Sequence, residues 1–155
     1  MSSPKLIETN ESAFQATHPV RRIISHEHAR RFAIIELNHR VGQLAVSWRS
    51  DLIQPSVVMD DNTRVIWIAV DERVAAVACD GQILFSMATS TPVLSLELLS
   101  DSIIIVISES QAVVINRDCC IQAIIDFPDI AQNFKLGKKR LTVEFSDGNT
   151  VDYSL

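Results

Sequence analysis

The chain has 155 residues, 47% hydrophobic and 21% charged, enough for one domain with a packed core and too few for two. A net charge of −5 argues against a general phosphate-backbone binder, which needs a basic face. No run approaches the roughly 18 apolar residues of a spanning helix, and three cysteines make no disulfide framework. No membrane association is expected, and the cytoplasm is the expected compartment.

Residues 1–19 read as a polar leader carrying Glu8 and Glu11, ending at His18-Pro19 and lacking the apolar stretch of a signal peptide. Residues 20–155 read as a single β domain. Short apolar runs rich in Val and Ile are broken every five to eight residues by polar turn residues, which predicts strands. The first five are expected near Val20–Ser25, Phe32–Leu37, Val41–Trp48, Val57–Met59 and Arg64–Val70. Arg73–Cys79, Ile83–Met87, Val93–Leu98, Ile103–Ser108 and Ala112–Asn116 follow. The last three are Ile121–Ile125, Leu141–Phe145 and Thr150–Tyr153. Helical turns are expected only over Ser25–Arg31 and Asp129–Phe134. Asp80-Gly81 and Asp147-Gly148-Asn149 carry strong hairpin chemistry. Asn38-His39, Asp71-Glu72 and Glu109-Ser110 separate paired runs without glycine.

The pattern repeats. Shifted forward by 38 positions, Val65–Met87 lies over Ile103–Ile125, placing Trp67 on Ile105, Asp71 on Glu109 and Asp80 on Asp118. A second shift of 38 lays Ile103–Ile115 over Leu141–Tyr153, and Phe32–Ala45 matches Val65–Ala78 at a spacing of 33. Repeat units are expected near 32–59, 64–99, 102–136 and 140–154. Units near 40 residues with about four strands suggest propeller blades. The fold class expected is all-β, built of repeated four-stranded antiparallel units. They form either a small β-propeller-like ring or an open curved sheet. Ring closure would bring Val20–Ser25 back to the final hairpin.

The stretch VIWIAVDERVAAVACDGQILFSMATSTPV resembles a blade of the pyrroloquinoline-quinone-type or WD-repeat propellers. It has the same succession of strand, acidic turn, strand, Asp-Gly turn and strand. The Trp-Asp and Gly-His signatures of WD repeats and the docking tryptophan of the quinone type are absent. The resemblance therefore implies architecture, and neither a cofactor nor an activity.

Candidate chemistry is sparse. His26-Glu27-His28 is the one local cluster of metal-capable side chains, but a solvated connector explains it better, and no metal or cofactor is assigned. Cys119 and Cys120, adjacent on a strand, would point to opposite faces, and Cys79 reads as a small core residue. Trp67 reads as core. Asp60-Asp61-Asn62 lacks calcium-loop spacing and reads as a turn. The basic stretches Lys135/Lys138/Lys139/Arg140 and Arg21/Arg22/Arg30/Arg31 read as solvated, with only Phe134 near the first to stack a base. No nucleic-acid partner is expected. No catalytic residues are assigned and an enzyme is not expected. For partner binding, Trp48, Arg49 and Asp51 at a strand end, with Asp60 and Asp61, are the candidates. A partly buried Trp48 with its indole satisfied is the competing reading.

These readings converge on a non-catalytic protein-binding module. Its most concrete form is a small immunity-type protein neutralising a nuclease-like bacterial toxin. The partner would then be another protein, such as a basic toxin domain. The alternative is a propeller-like adaptor or regulatory subunit that binds peptides or proteins. The sequence leaves the oligomeric state open.

Overall fold

The structure is a computed structural model that describes residues 4–18, 21–37, 42–99 and 102–155. Its strands are β1 (Lys5–Thr9), β2 (Arg22–Ile24), β3 (Arg31–Glu36), β4 (Gln43–Trp48), β5 (Ser56–Asp60), β6 (Val65–Val70), β7 (Arg73–Ala78) and β8 (Ile83–Ala88). There follow β9 (Val93–Leu98), β10 (Ile104–Ser108), β11 (Gln111–Ile115), β12 (Ile121–Asp126), β13 (Ala131–Leu136), β14 (Arg140–Phe145) and β15 (Thr150–Ser154). One short helix, α1 (Glu11–Ala16), lies between β1 and β2. Among the described residues no helix is long and apolar enough to cross a membrane.

The strands form four separate sheets, ordered β1-β3-β4-β2, β5-β6-β7-β8, β9-β10-β11-β12 and β13-β14-β15. All pairings are antiparallel except β2 with β4. The expected fold class holds: the protein is all-β, an open, propeller-like succession of small sheets.

The central sheets explain the nearly unbroken apolar runs of the sequence. In β6, Ile66, Ile68 and Val70 pack into a core against the first sheet, while Val65, Trp67 and Ala69 pack against the third. In β10, Ile104 and Val106 face the second sheet, and Ile105 and Ile107 face the fourth. Strands buried on both faces cannot alternate apolar with polar. Each fully buried Ile contributes about 1.5–3 kcal/mol.

The 38-residue spacing recurs bond for bond. The carbonyls of Asp71 and Glu72, in the β6–β7 hairpin, accept from the N–H groups of Val93 (2.7 Å) and Thr89 (2.9 Å). Those of Glu109 and Ser110, in the β10–β11 hairpin, accept from Ala131 (2.8 Å) and Phe127 (2.9 Å). The bulge between Ala76 and Val77 reappears between Val114 and Ile115. These hairpins therefore clasp the segment that enters the next sheet.

Several expectations need correction. Residues 5–16 are not merely a polar leader. β1 is the edge of the first sheet, and Asn10 caps α1 by accepting the Ala13 N–H (2.9 Å). Phe14 is then buried against Phe32, ring centroids 5.3 Å apart. Ser25–Arg31 makes no helical turn, because its backbone is tied beside β4 through His26 N–H to Ser47 Oγ (3.1 Å) and Arg30 N–H to the Trp48 carbonyl (2.9 Å). Asp129–Phe134 is not a helical turn either, since residues 131–136 are strand β13. β2 does not return to the final hairpin but pairs with β4. The second, third and fourth sheets each start one strand earlier than the units read from the sequence, and the first takes in both β1 and β2, because sliding a sequence fixes its period and not its phase. The Asn38-His39 turn lies outside the described residues.

The two ends of the stack differ. α1 covers the outer face of the first sheet through Phe14. The fourth sheet turns Leu141, Val143 and Phe145 inward, while Lys135, Thr142, Glu144 and Asp152 line its outer face. That face is polar.

Candidate functional site

The first and second sheets meet at one end around the β6–β7 hairpin. Val70 pairs with Arg73, so Asp71 and Glu72 form a two-residue turn, with Asp71 at a φ of 47°. Asp71 is buried, and its carboxylate accepts the backbone N–H groups of Arg49 (2.7 Å) and Ser50 (3.3 Å). The chain leaving β4 is thereby held on the second sheet. Arg49 also reaches Glu72, Nη2 to Oε2 at 2.8 Å, and its Nε lies 3.9 Å from Asp71.

His26 enters the same junction from the segment between β2 and β3. Its side chain is only 9% exposed, and Nε2 lies 3.8 Å from Asp71 Oδ2. Nε2 has no hydrogen-bond partner among the described residues. His28, exposed and at a φ of 56°, borders the same open depression of about 510 Å³ together with Arg30, Arg49, Asp71 and Glu72. One donor atom each from His26, Asp71 and Glu72 falls within 4.8 Å of the others.

The partner-binding candidates are dispersed. Trp48 is fully buried in the first core with its indole N–H unpartnered among the described residues, and the Arg31 guanidinium lies 5.4 Å above its ring. This removes it as a surface anchor, and also removes the alternative of a partly buried, satisfied indole. Arg49 is half exposed, and Asp51 is exposed 3.8 Å from Arg30. Asp60 and Asp61 lie at the opposite end of the second sheet, where β5 turns into β6. Asp61 is exposed, but Asp60 is buried and accepts the Asn62 N–H (3.0 Å) and the Thr63 hydroxyl (2.6 Å). Burial alone would raise its pKa. Hydrogen bonds from the Ser102 and Thr63 hydroxyls and from backbone N–H groups outweigh that and hold the carboxyl below its ordinary value. Asp60 therefore holds a turn together and is not available to a partner.

Three arginines of the second basic stretch are engaged within the protein, whereas Arg21 has a buried Nη1 without a hydrogen-bond partner among the described residues. Arg22 bonds Gln15 (2.9 Å) and lies over Phe14, Arg31 pairs with Glu8, and Arg30 sits beside Asp51. Lys135, Lys138, Lys139 and Arg140 border a broad depression at the β13–β14 turn, where Arg140 meets Asp152 (3.2 Å).

The cysteines are free. Cys119 and Cys120 occupy the turn before β12 instead of opposite faces of a strand, with Cys119 at a φ of 60°. Burial, with Cys120 and Asp118 alongside, pushes the Cys119 thiol above its usual pKa, the reverse of what a nucleophilic thiolate requires. Cys79 is half-buried and gives its thiol hydrogen to the Arg64 carbonyl. Trp67 is core, as expected.

Two features escaped the sequence reading. The His26–Asp71–Glu72 cluster joins residues about 45 positions apart, and its local traces, the His26-Glu27-His28 stretch and an acidic hairpin made without glycine, do not reveal that the two meet. The other is an apolar outer edge. Ile83 (49% exposed) and Leu84 on β8, and Ile121 (45%) and Ile124 on β12, stand exposed on strands with one unpaired edge. Ile83 and Ile121 are again 38 positions apart.

The class this architecture defines is an all-β protein of β-propeller-like repeats. No protein-family model matches the chain, and no curated protein matches it. Among solved structures it is similar to a protein of unknown function from Bacteroides caccae, with 12% identity and a TM-score of 0.48 over 82% of this chain and 56% of that one. It is also similar to a streptogramin B lyase, with 12% identity and a TM-score of 0.45 over 99% of this chain and 59% of that one. The chain thus spans a little over half the length of each.

Proposed function

We propose that the protein is a non-catalytic, cytoplasmic binding module whose partner is another protein. The observation that carries this reading is the recurrence of exposed isoleucine on the outer edge strands of two successive sheets. An open strand edge bearing large apolar side chains invites association and aggregation unless something covers it. Its repetition at equivalent positions supports a surface extending over more than one sheet. A partner strand would add to such an edge through main-chain hydrogen bonds, with the isoleucines setting specificity.

The narrower form is an immunity-type protein that neutralises a basic, nuclease-like toxin. The net charge of −5 supports that form by favouring encounter with a basic partner. The broader form is an adaptor or regulatory subunit.

The test is affinity capture with the wild type and two variants, scoring a partner identified in the wild-type eluate. Ile121→Asp/Ile124→Asp alters exposed edge positions and should keep the native circular dichroism while losing the partner. Lys138→Glu/Lys139→Glu, on the fourth sheet, should retain it. Equal retention by both variants, or turnover of a small molecule by the purified protein, overturns the proposal.

A further inference from the structure

We propose that the junction of the first and second sheets is a divalent transition-metal site, best suited to zinc, with His26, Asp71 and Glu72 as ligands. A group of acidic residues alone would not carry this. The second observation is the His26 ring, more than nine-tenths buried, with Nε2 directed at Asp71 and lacking any hydrogen-bond partner among the described residues. A buried polar atom left without a partner is costly, and such an atom in a native protein asks for an occupant.

The geometry suits a metal ion. Donors bound to one tetrahedral zinc at about 2.0–2.2 Å lie roughly 3.3–3.6 Å apart. His26 Nε2 and Asp71 Oδ2, 3.8 Å apart, come close to that spacing as they stand. All three donors lie within 4.8 Å of one another, so the longest separation closes by about 1 Å or a little more, within reach of a side-chain rotation. Glu72, about one-third exposed, has room to turn inward. Asp71 is already fixed by the Arg49 and Ser50 N–H groups, which orient its carboxylate as supporting hydrogen bonds do around metal ligands. One imidazole nitrogen and two carboxylates favour zinc and its neighbours over calcium or magnesium, which take oxygen ligands. Water from the open depression would complete the coordination.

Arg49 is the competitor. Its guanidinium bonds Glu72 at 2.8 Å and lies beside Asp71, so metal entry requires it to swing away. Its side chain is half exposed and free to do so. Arg49 thus makes the site conditional: the arginine holds the carboxylates when metal is scarce and yields them when metal is present.

The experiment is calorimetric titration of zinc chloride into the full-length, chelator-treated protein, with Cys79, Cys119 and Cys120 changed to Ser to remove thiol binding. One zinc per chain is expected, with affinity in the micromolar range or tighter. His26→Gln and Asp71→Asn should each weaken binding by about tenfold or more. Arg49→Ala should tighten it by removing the competing cation. Calcium and magnesium chloride should give no one-to-one isotherm. Circular dichroism of each variant, matched to the parent, excludes misfolding as the cause of lost binding. Failure of zinc to bind, or unchanged binding in His26→Gln, overturns the proposal and leaves His26 as a neighbour of Asp71 alone.

Discussion

At the scale of the residue, side chains that looked available are mostly engaged within the structure. Trp48 beside Arg49 read as an interface anchor, yet the indole closes the first core and only the guanidinium stays outside. Whether a strand-end aromatic faces in or out depends on the neighbouring sheet, and its own flanking sequence holds no record of that. Asp60 gives a testable instance. Its buried carboxylate accepts Asn62, Thr63 and Ser102, and its pKa lies below the ordinary value of 3.8. Asp60→Ala should therefore cost about 1–3 kcal/mol at neutral pH, the range for losing hydrogen bonds to a charged acceptor. A carboxyl with a lowered folded pKa stabilises fully above its unfolded pKa and loses that contribution as pH falls through the folded value. Urea melts should show a constant gap between wild type and variant from pH 7 to about pH 5, narrowing below pH 4. A gap that widens on acidification would contradict the assignment.

At the scale of the element, the two faces of β6 serve different cores. Ile68, fully buried, faces the first sheet, and Trp67, 2% exposed, faces the third. Ile68→Ala should cost about 2–5 kcal/mol and Trp67→Ala about 3–5 kcal/mol. If the two cores are independent, the double variant should lose the sum of the two effects in denaturant melts. A strongly non-additive result would show that the sheet transmits strain between its faces. Strands of this kind were legible because a β-branched run bounded by turn residues has few other readings. β13 was not. Its bulge between Ala131 and Asn133 puts Ala131, Phe134 and Leu136 on one face. That breaks the period of two and leaves a three-residue step that mimics a helix. β1 was missed because it is a short edge strand, with Leu6 its only side chain packed against the first core.

At the scale of the whole molecule, the three cores join first sheet to second, second to third and third to fourth, and none among the described residues joins fourth to first. Such a stack approaches the one-dimensional limit of repeat proteins, where stability is a sum of unit and nearest-neighbour terms. The middle sheets are packed on both faces, whereas the fourth has a single packed face and a polar outer one. Leu141 is fully buried in the third core and touches neither of the others. Leu141→Ala should cost about 2–5 kcal/mol, and the loss should fall first on the sheet that has least to hold it. Hydrogen exchange on the variant should then show faster exchange across β13, β14 and β15, spreading to the β10 and β11 amides beside that core. Protection across β6 and β7 should stay close to wild type, because local openings draw on local interfaces. Equal loss of protection in all four sheets would instead mean that the stack unfolds as one cooperative unit, with the end-to-end hydrogen-bonded clasps coupling every sheet to the next.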